Sequence, residues 1–114
     1  MIPDVRDVYT AIIYYKGLKG DKKLRPVVII NMIDSKRCTI AEITSVPPKD
    51  PPNYFARFKE PILKWQECGL DKASWVKCFK ENIHNINVNR LHQYIGTMNY
   101  QDFINVVKNI YDNT

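Results

Sequence analysis

Arg25 is followed by Pro26 and then by Val27, Val28, Ile29 and Ile30, so a guanidinium stands at the mouth of an apolar run. Side chains alternate across a strand, which puts Val27 and Ile29 on one face and Val28 and Ile30 on the other. Neither face is polar, and a strand of this kind is covered on both sides. Proline has no N–H to give to a ladder and holds the preceding residue extended, so Pro26 is expected at the first position of the strand. Arg25 then sits where loop becomes sheet, and a planar fork fixed there suits the paired oxygens of a phosphate. An arginine that only solvates the strand end would look the same. Upstream, Lys16, Lys19, Lys22 and Lys23 join Arg25 against a single acid, Asp21. That run makes either a positive rim on the sheet or a plain solvated loop. Tyr54, Phe55 and Phe58 interleave with Arg57 and Lys59, a pattern that can stack unpaired bases but is expected here as a short strand.

These residues need elements to hold them. Residues 7–15 (DVYTAIIYY) are β-branched and aromatic and read as a first strand. Gly17 and Gly20 allow the loop at 16–24, Asp34-Ser35-Lys36 reads as a turn, and 37–45 (RCTIAEITS) reads as a third strand. Short connections between them imply an antiparallel meander. Pro47, Pro48, Pro51 and Pro52 form an extended loop that no ladder can accept. Residues 61–68 carry Trp65 on an expected single helical turn ending at Gly69. Residues 74–80 alternate Trp75, Lys77 and Phe79 against Val76 and Cys78, as a strand does. After an extended stretch at 83–86, Asn87 reads as the N-cap of a helix over 88–94 that Gly96 ends. A second helix is expected from Asn99, with Phe103, Val106, Val107 and Ile110 on one stripe.

The chain has 114 residues, which suits one domain spanning 1–114. Its apolar share of 45% and charged share of 25% are those of an ordinary globular protein, which sets aside the disordered and collagenous classes. A formal charge of +5 leans toward a polyanionic partner. With no basic start leading into an apolar run, and no stretch long enough to cross a bilayer, a cytoplasmic protein is expected. Cys38, Cys68 and Cys78 suggest neither a disulfide framework nor a zinc knuckle, and read as small buried or half-buried thiols. No metal or other cofactor is expected.

Five segments fall in a familiar order: Arg6-Asp7-Val8-Tyr9, Leu24 through Ile30, Ile43-Thr44-Ser45, Gly69 through Val76, and Leu91 through Ile95-Gly96 with Tyr100-Gln101-Asp102. Together they resemble the opening strand, the R-P-V-V strand, the [IV]-T-[ST] strand end, the G-L-x-K-x-S-[FWY]-[IV] segment and the closing helices of the PemK/MazF family of toxin endoribonucleases. The resemblance runs nearly end to end. It implies a mainly β protein with short helices, a compact twisted antiparallel β-barrel ending in a helix, and a homodimer. It also implies an mRNA interferase of a toxin–antitoxin system: metal-independent, sequence-specific cleavage of single-stranded RNA through the 2′-hydroxyl, giving a 2′,3′-cyclic phosphate, inhibiting growth and neutralised by an antitoxin. Arg6 stands where the family usually has glycine, so that turn is expected to be built differently. The acid common five positions before the R-P arginine falls on Gly20, with Asp21 one place later. Lys77 and Phe79 occupy the positions of an arginine and an aspartate that some members use as acid and base. Lysine can replace the arginine, whereas the aspartate has no replacement.

Such cleavage needs a base, cations around the phosphorane and an acid for the 5′-oxygen. On the resemblance, Arg25 binds the phosphate, Thr44 donates a hydroxyl hydrogen bond from the matching strand end, and Lys77 adds charge. Ser45, Tyr54 and the lysines at 16, 19, 22 and 23 hold flanking RNA. The base is open between Asp21 and Glu42, with Glu42 expected to face solvent from mid-strand. His84 and His92 could form an acid–base pair, although His92 falls in the last helical region and surface histidines are the expectation. The basic loop, the proline-rich aromatic loop and Trp65 would make a positive groove for an acidic antitoxin tail. Two other readings stay open: a non-catalytic protein of the same fold that inhibits a DNA topoisomerase, and an RNA- or protein-binding module with a degenerate site.

Overall fold

The computed structural model of the chain describes residues 2–14 and 22–113. Its centre is the expected meander: β1 (Asp7–Tyr14), β2 (Lys22–Met32) and β3 (Arg37–Thr44) pair antiparallel in sequence order. The turn between β2 and β3 is closed by Asp34, whose Oδ1 accepts the backbone N–H groups of Lys36 and Arg37 at 2.8 and 2.9 Å. Pro26 is not the first residue of its strand, because β2 already begins at Lys22. It lies across from Thr10 of β1, and pairing with β3 begins only at Val27 and Glu42, so the missing N–H falls before the second ladder starts.

Because β2 is apolar on both faces, the sheet carries two cores. Val28 packs with Val8, Ala41, Ile43, Val76 and Met98 on one side, where Phe103 and Val106 of α1 (Tyr100–Asp112) close the core. Val27 and Ile29 pack on the other side with Tyr9, Ala11, Ile13, Ile40 and Ile86. Ile86 belongs to β6 (Ile83–Asn87), which pairs with residues 37–41 of β3. Farther along the same edge of β3, Ile43 and Thr44 pair with β5 (Trp75–Lys77), and β4 (Lys59–Pro61) lies outside that. On the opposite edge, β7 (Leu91–Thr97) pairs with β1. The strand order β4-β5-β3-β2-β1-β7 leaves the sheet open, so the expected barrel is instead a sheet curled over its second core.

Three short segments differ from their sequence pattern. Asn87 does act as a cap, accepting the N–H of Asn89 at 3.0 Å, but it caps only a single 3-10 turn at Val88–Arg90, and the expected helix over 88–94 is replaced by β7. Helix propensities among such residues differ by only tenths of a kcal/mol, less than what the partly buried Leu91 and Ile95 gain by packing against the two cores, a fraction of the roughly 1.5–3 kcal/mol that full burial of each would give. The expected strand at 54–58 is a 3-10 turn, because Asn53 Oδ1 takes the N–H groups of Phe55 and Ala56. Residues 63–69 form turns rather than a helical turn. Strand β5 keeps only the middle of the alternating stretch at 74–80.

The turns at 63–69 are anchored from α1. Asn99 caps that helix by accepting the N–H groups of Gln101 and Asp102, and Asp102, only 2% exposed, accepts those of Leu63 and Lys64 at 3.2 and 2.8 Å. Gly69 ends the segment at φ 82°, where a Cβ would meet the Ile95 backbone. Arg6 holds the same left-handed conformation at φ 78°, steadied by Nε donating to the Met98 carbonyl at 3.1 Å and by the Tyr100 ring 5.5 Å from the guanidinium. The turn therefore survives the loss of glycine at a strain of about 1–2 kcal/mol. All three cysteines are buried and free, as their pattern suggested. No helix among the described residues is long and apolar enough to cross a membrane.

Asp102→Ala would leave two backbone N–H groups without an acceptor, so we expect a stability loss of about 1–3 kcal/mol. Urea denaturation monitored by circular dichroism checks this. Asp102→Asn, which keeps one acceptor, should lose less.

Candidate active site

The face of the sheet that carries Val27, Ile29 and Ile40 becomes polar at one end, where β2 begins and β3 finishes. Val27 is level with Glu42, and the same register continued by two residues brings Thr44 level with Arg25. Thr44 does end β3, but Arg25 lies three residues inside β2, which begins at Lys22, and not at the strand end where it was expected. Beyond β3, Trp75 pairs with Thr44, which carries Lys77 to the level of Glu42, while Lys77 itself pairs with Lys59. The chain then turns through residues 78–82 and returns to β3 with His84 opposite Ile40. Alternation thus places Arg25, Thr44, Glu42, Lys77 and His84 on one face.

Glu42 is the group that the pattern misplaced. It does not face solvent: it is 2% exposed, and its Oε2 accepts hydrogen bonds from Asn82 Nδ2 at 3.3 Å and His84 Nε2 at 2.8 Å. The parity was readable, since Cys38, Ile40, Glu42 and Thr44 alternate along one side of β3 and the first two are plainly core. Burial pushes the Glu42 carboxyl up, but the hydrogen bonds from His84 and Asn82 and the charges of His84 and Lys77 outweigh it, and the group lies below its ordinary value. An ionised carboxylate can only accept, so Nε2 carries the hydrogen of this pair and Nδ1 is bare. That second nitrogen makes no hydrogen bond among the described residues. His92 is not its partner; it stands exposed on β7, a strand where a helix was expected.

Around this centre the cations gather. Arg25 is half-buried, and Lys22 and Lys23 are exposed at the start of β2. Lys59 Nζ donates to the carbonyls of Val46 and Pro47 at 3.0 and 3.3 Å, which ties the proline-rich loop to β4. Burial and the neighbouring charges of Lys77 and Lys49 hold its ammonium below the usual lysine range. Thr44 is 8% exposed, and its Oγ1 accepts the N–H of Val46 at 3.1 Å, which leaves its hydrogen uncommitted among the described residues. Ser45 beside it is exposed. Phe79, where the resemblance would place an aspartate, instead builds a wall, 4.9 Å from Phe58 and 5.4 Å from Phe55 between ring centres. These rings, with Lys59, Lys77 and Asn82, line a cleft of about 310 Å³. Tyr54 is exposed on the rim with the Arg57 guanidinium 4.4 Å from its ring. A second cleft, about 330 Å³, is lined by His84 with Ile13, Tyr14 and Arg90.

Three of the expected site residues, Lys16, Lys19 and Asp21, lie outside the described residues. Trp65 does not belong to this face; it packs against the core under α1. Among the described residues no three His, Cys, Asp or Glu side chains gather as a metal site would need.

The fold is the one that MazF toxins adopt. The Mycobacterium tuberculosis toxin MazF-mt6 superposes with a TM-score of 0.63 at 22% identity, over 92% of this chain and 94% of its own. An endoribonuclease from a mycobacterial species, solved in complex with its cognate antitoxin, gives 0.67 at 12% identity over 97% and 93%. A MazE–MazF structure from Deinococcus radiodurans gives 0.68 at 10% identity over 98% and 95%. At such identities the likeness establishes the fold. No family model matches the chain, and no curated protein does.

Because Glu42 binds its proton less readily when folded, its contribution to stability is fully present above the ordinary value of 4.5 and is lost as pH falls below that. We expect Glu42→Gln to cost about 1–3 kcal/mol at neutral pH and much less in acid. Thermal melts of both proteins from neutral pH to well below that value check the sign.

Proposed function

We propose that this chain is a metal-independent endoribonuclease toxin that cuts single-stranded RNA at chosen sequences, through attack of a 2′-hydroxyl on the adjacent phosphate. The observation that carries the reading is Arg25 level with Thr44 on the same face as Lys77, on a fold that MazF toxins share. Arg25 grips two phosphate oxygens with its fork and stabilises the charge that builds on them. Thr44 gives its free hydroxyl hydrogen to the same group. Lys77 adds charge, and Lys22 and Lys23, with Lys16 and Lys19 earlier in the sequence, engage the phosphates to either side. Tyr54 and Ser45 border the path. Unstacked bases suit such clefts and a paired helix does not.

The active form is a homodimer working in the cytoplasm as one domain per chain. An acidic antitoxin competes with RNA for the positive rim, as the antitoxin complexes of the structural neighbours encourage. Phe79 keeps one rival in view, since a protein of this fold without a working site would bind RNA, or a topoisomerase, and cut nothing.

Incubation of purified protein with varied synthetic RNAs in EDTA separates these. We expect cleavage of single strands, none of duplexes, and ends bearing a 2′,3′-cyclic phosphate and a 5′-hydroxyl. Arg25→Lys should lose about 100-fold or more, because an ammonium cannot hold two oxygens in a fixed fork. Cleavage that appears only with added divalent metal, or none at all, sinks the proposal.

A further inference from the structure

We infer that His84, held by the buried carboxylate of Glu42, is the general base of this site, taking the proton from the attacking 2′-hydroxyl. The inference rests on the ribonuclease reading above and supplies the group that Phe79 cannot. Glu42 itself is sealed from substrate at 2% exposure, with Oε2 engaged by both His84 and Asn82. His84 is different: its side chain is 29% exposed, and it lines an open cleft with Tyr14 and Arg90. Its Nε2–H is committed to Glu42 at 2.8 Å, which fixes the tautomer and leaves a lone pair on Nδ1. A carboxylate behind an imidazole orients the ring and stabilises the imidazolium that forms when the ring takes a proton. A structural ion pair would have no need of a bare ring nitrogen beside a cleft.

The step balances with groups already on this face. Nδ1 takes the 2′-hydroxyl proton, the 2′-oxygen bonds to phosphorus, and the bond from phosphorus to the 5′-oxygen breaks. That oxygen leaves with a proton from the ammonium of Lys77, which stands at the register level of Glu42. The products are a 2′,3′-cyclic phosphate and a 5′-hydroxyl. Water then removes the proton from His84, and Lys77 regains one. Arg25 and Thr44 hold the phosphate one register step from Lys77 and two from His84 along the same face.

Activity as a function of pH tests this, with the charged and titratable neighbours of His84 in view: Glu42 from β3, Tyr14 from β1, Arg90 after β6, and Lys77 across Glu42. In the wild type, the acid limb of kcat/KM should coincide with the NMR titration of His84, one of two histidines, assigned with the aid of His92→Gln. His84→Gln should lose at least about 100-fold in kcat while binding a non-cleavable 2′-deoxy oligonucleotide as the wild type does. Glu42→Gln should change the shape of the pH profile, whereas a merely structural Glu42 would lower the rate equally at every pH. Near wild-type turnover by His84→Gln, or a wild-type profile with no limb at the His84 titration, overturns the inference and leaves the ribonuclease reading standing. Failure of the wild type to cut any RNA overturns both. The wild-type titration decides the matter even if neither variant folds.

Discussion

A strand with no polar face must be buried twice, and β2 imposes that condition on everything around it. Val28 needs cover on one side, Val27 and Ile29 on the other. One helix satisfies the first side. No second helix exists among the described residues for the other, so the sheet supplies its own cover by curling until Ile86 of β6 meets residues of β1. The curl is also what turns one end of that face into a site. Its apolar residues give way to Arg25, Glu42 and Thr44 where the strands run out of core to share.

The parts of the fold set by local chemistry were legible in the chain: the meander, its Asp34 turn, and α1 with its Asn99 cap and apolar stripe all follow from residue types in sequence. The parts decided by distant partners were not. Residues 88–94 carry a cap and an apolar spacing that serve a helix as well as a strand, and only the bare edge of β1 chooses between them. Tyr54, Phe55 and Phe58 have strand-like composition, but a single Asn53 side chain bends them into a turn. Within the site, Arg25 and Thr44 could be paired by counting along two strands, whereas the union of Glu42 with His84 spans 42 residues and needs the 78–82 turn to bring it about. Parity alone would have turned Glu42 inward; the general habit of carboxylates to seek water argued the other way.

The electrostatics of this end are deliberately unbalanced. Burial first, and then the charges of Lys77 and Lys49, disfavour the charge on Lys59, and the nearby carboxylate of Glu42 is already engaged by His84 and Asn82. A surface in that condition is relieved by a polyanion, and relief of this kind gives fast, salt-sensitive association.

The cysteines carry a practical consequence of the two-core design. Cys38, Cys68 and Cys78 are all buried, and burial raises all three thiols, Cys78 to about 12. Reaction with peroxide, disulfides or maleimides proceeds through the thiolate, which at neutral pH is on the order of one part in 10⁵ for a thiol so placed. The folded chain's cysteine thiols, Cys78 above all, are thus slow to react, and a cysteine introduced on its surface would be the position that a thiol-directed dye or spin label found first.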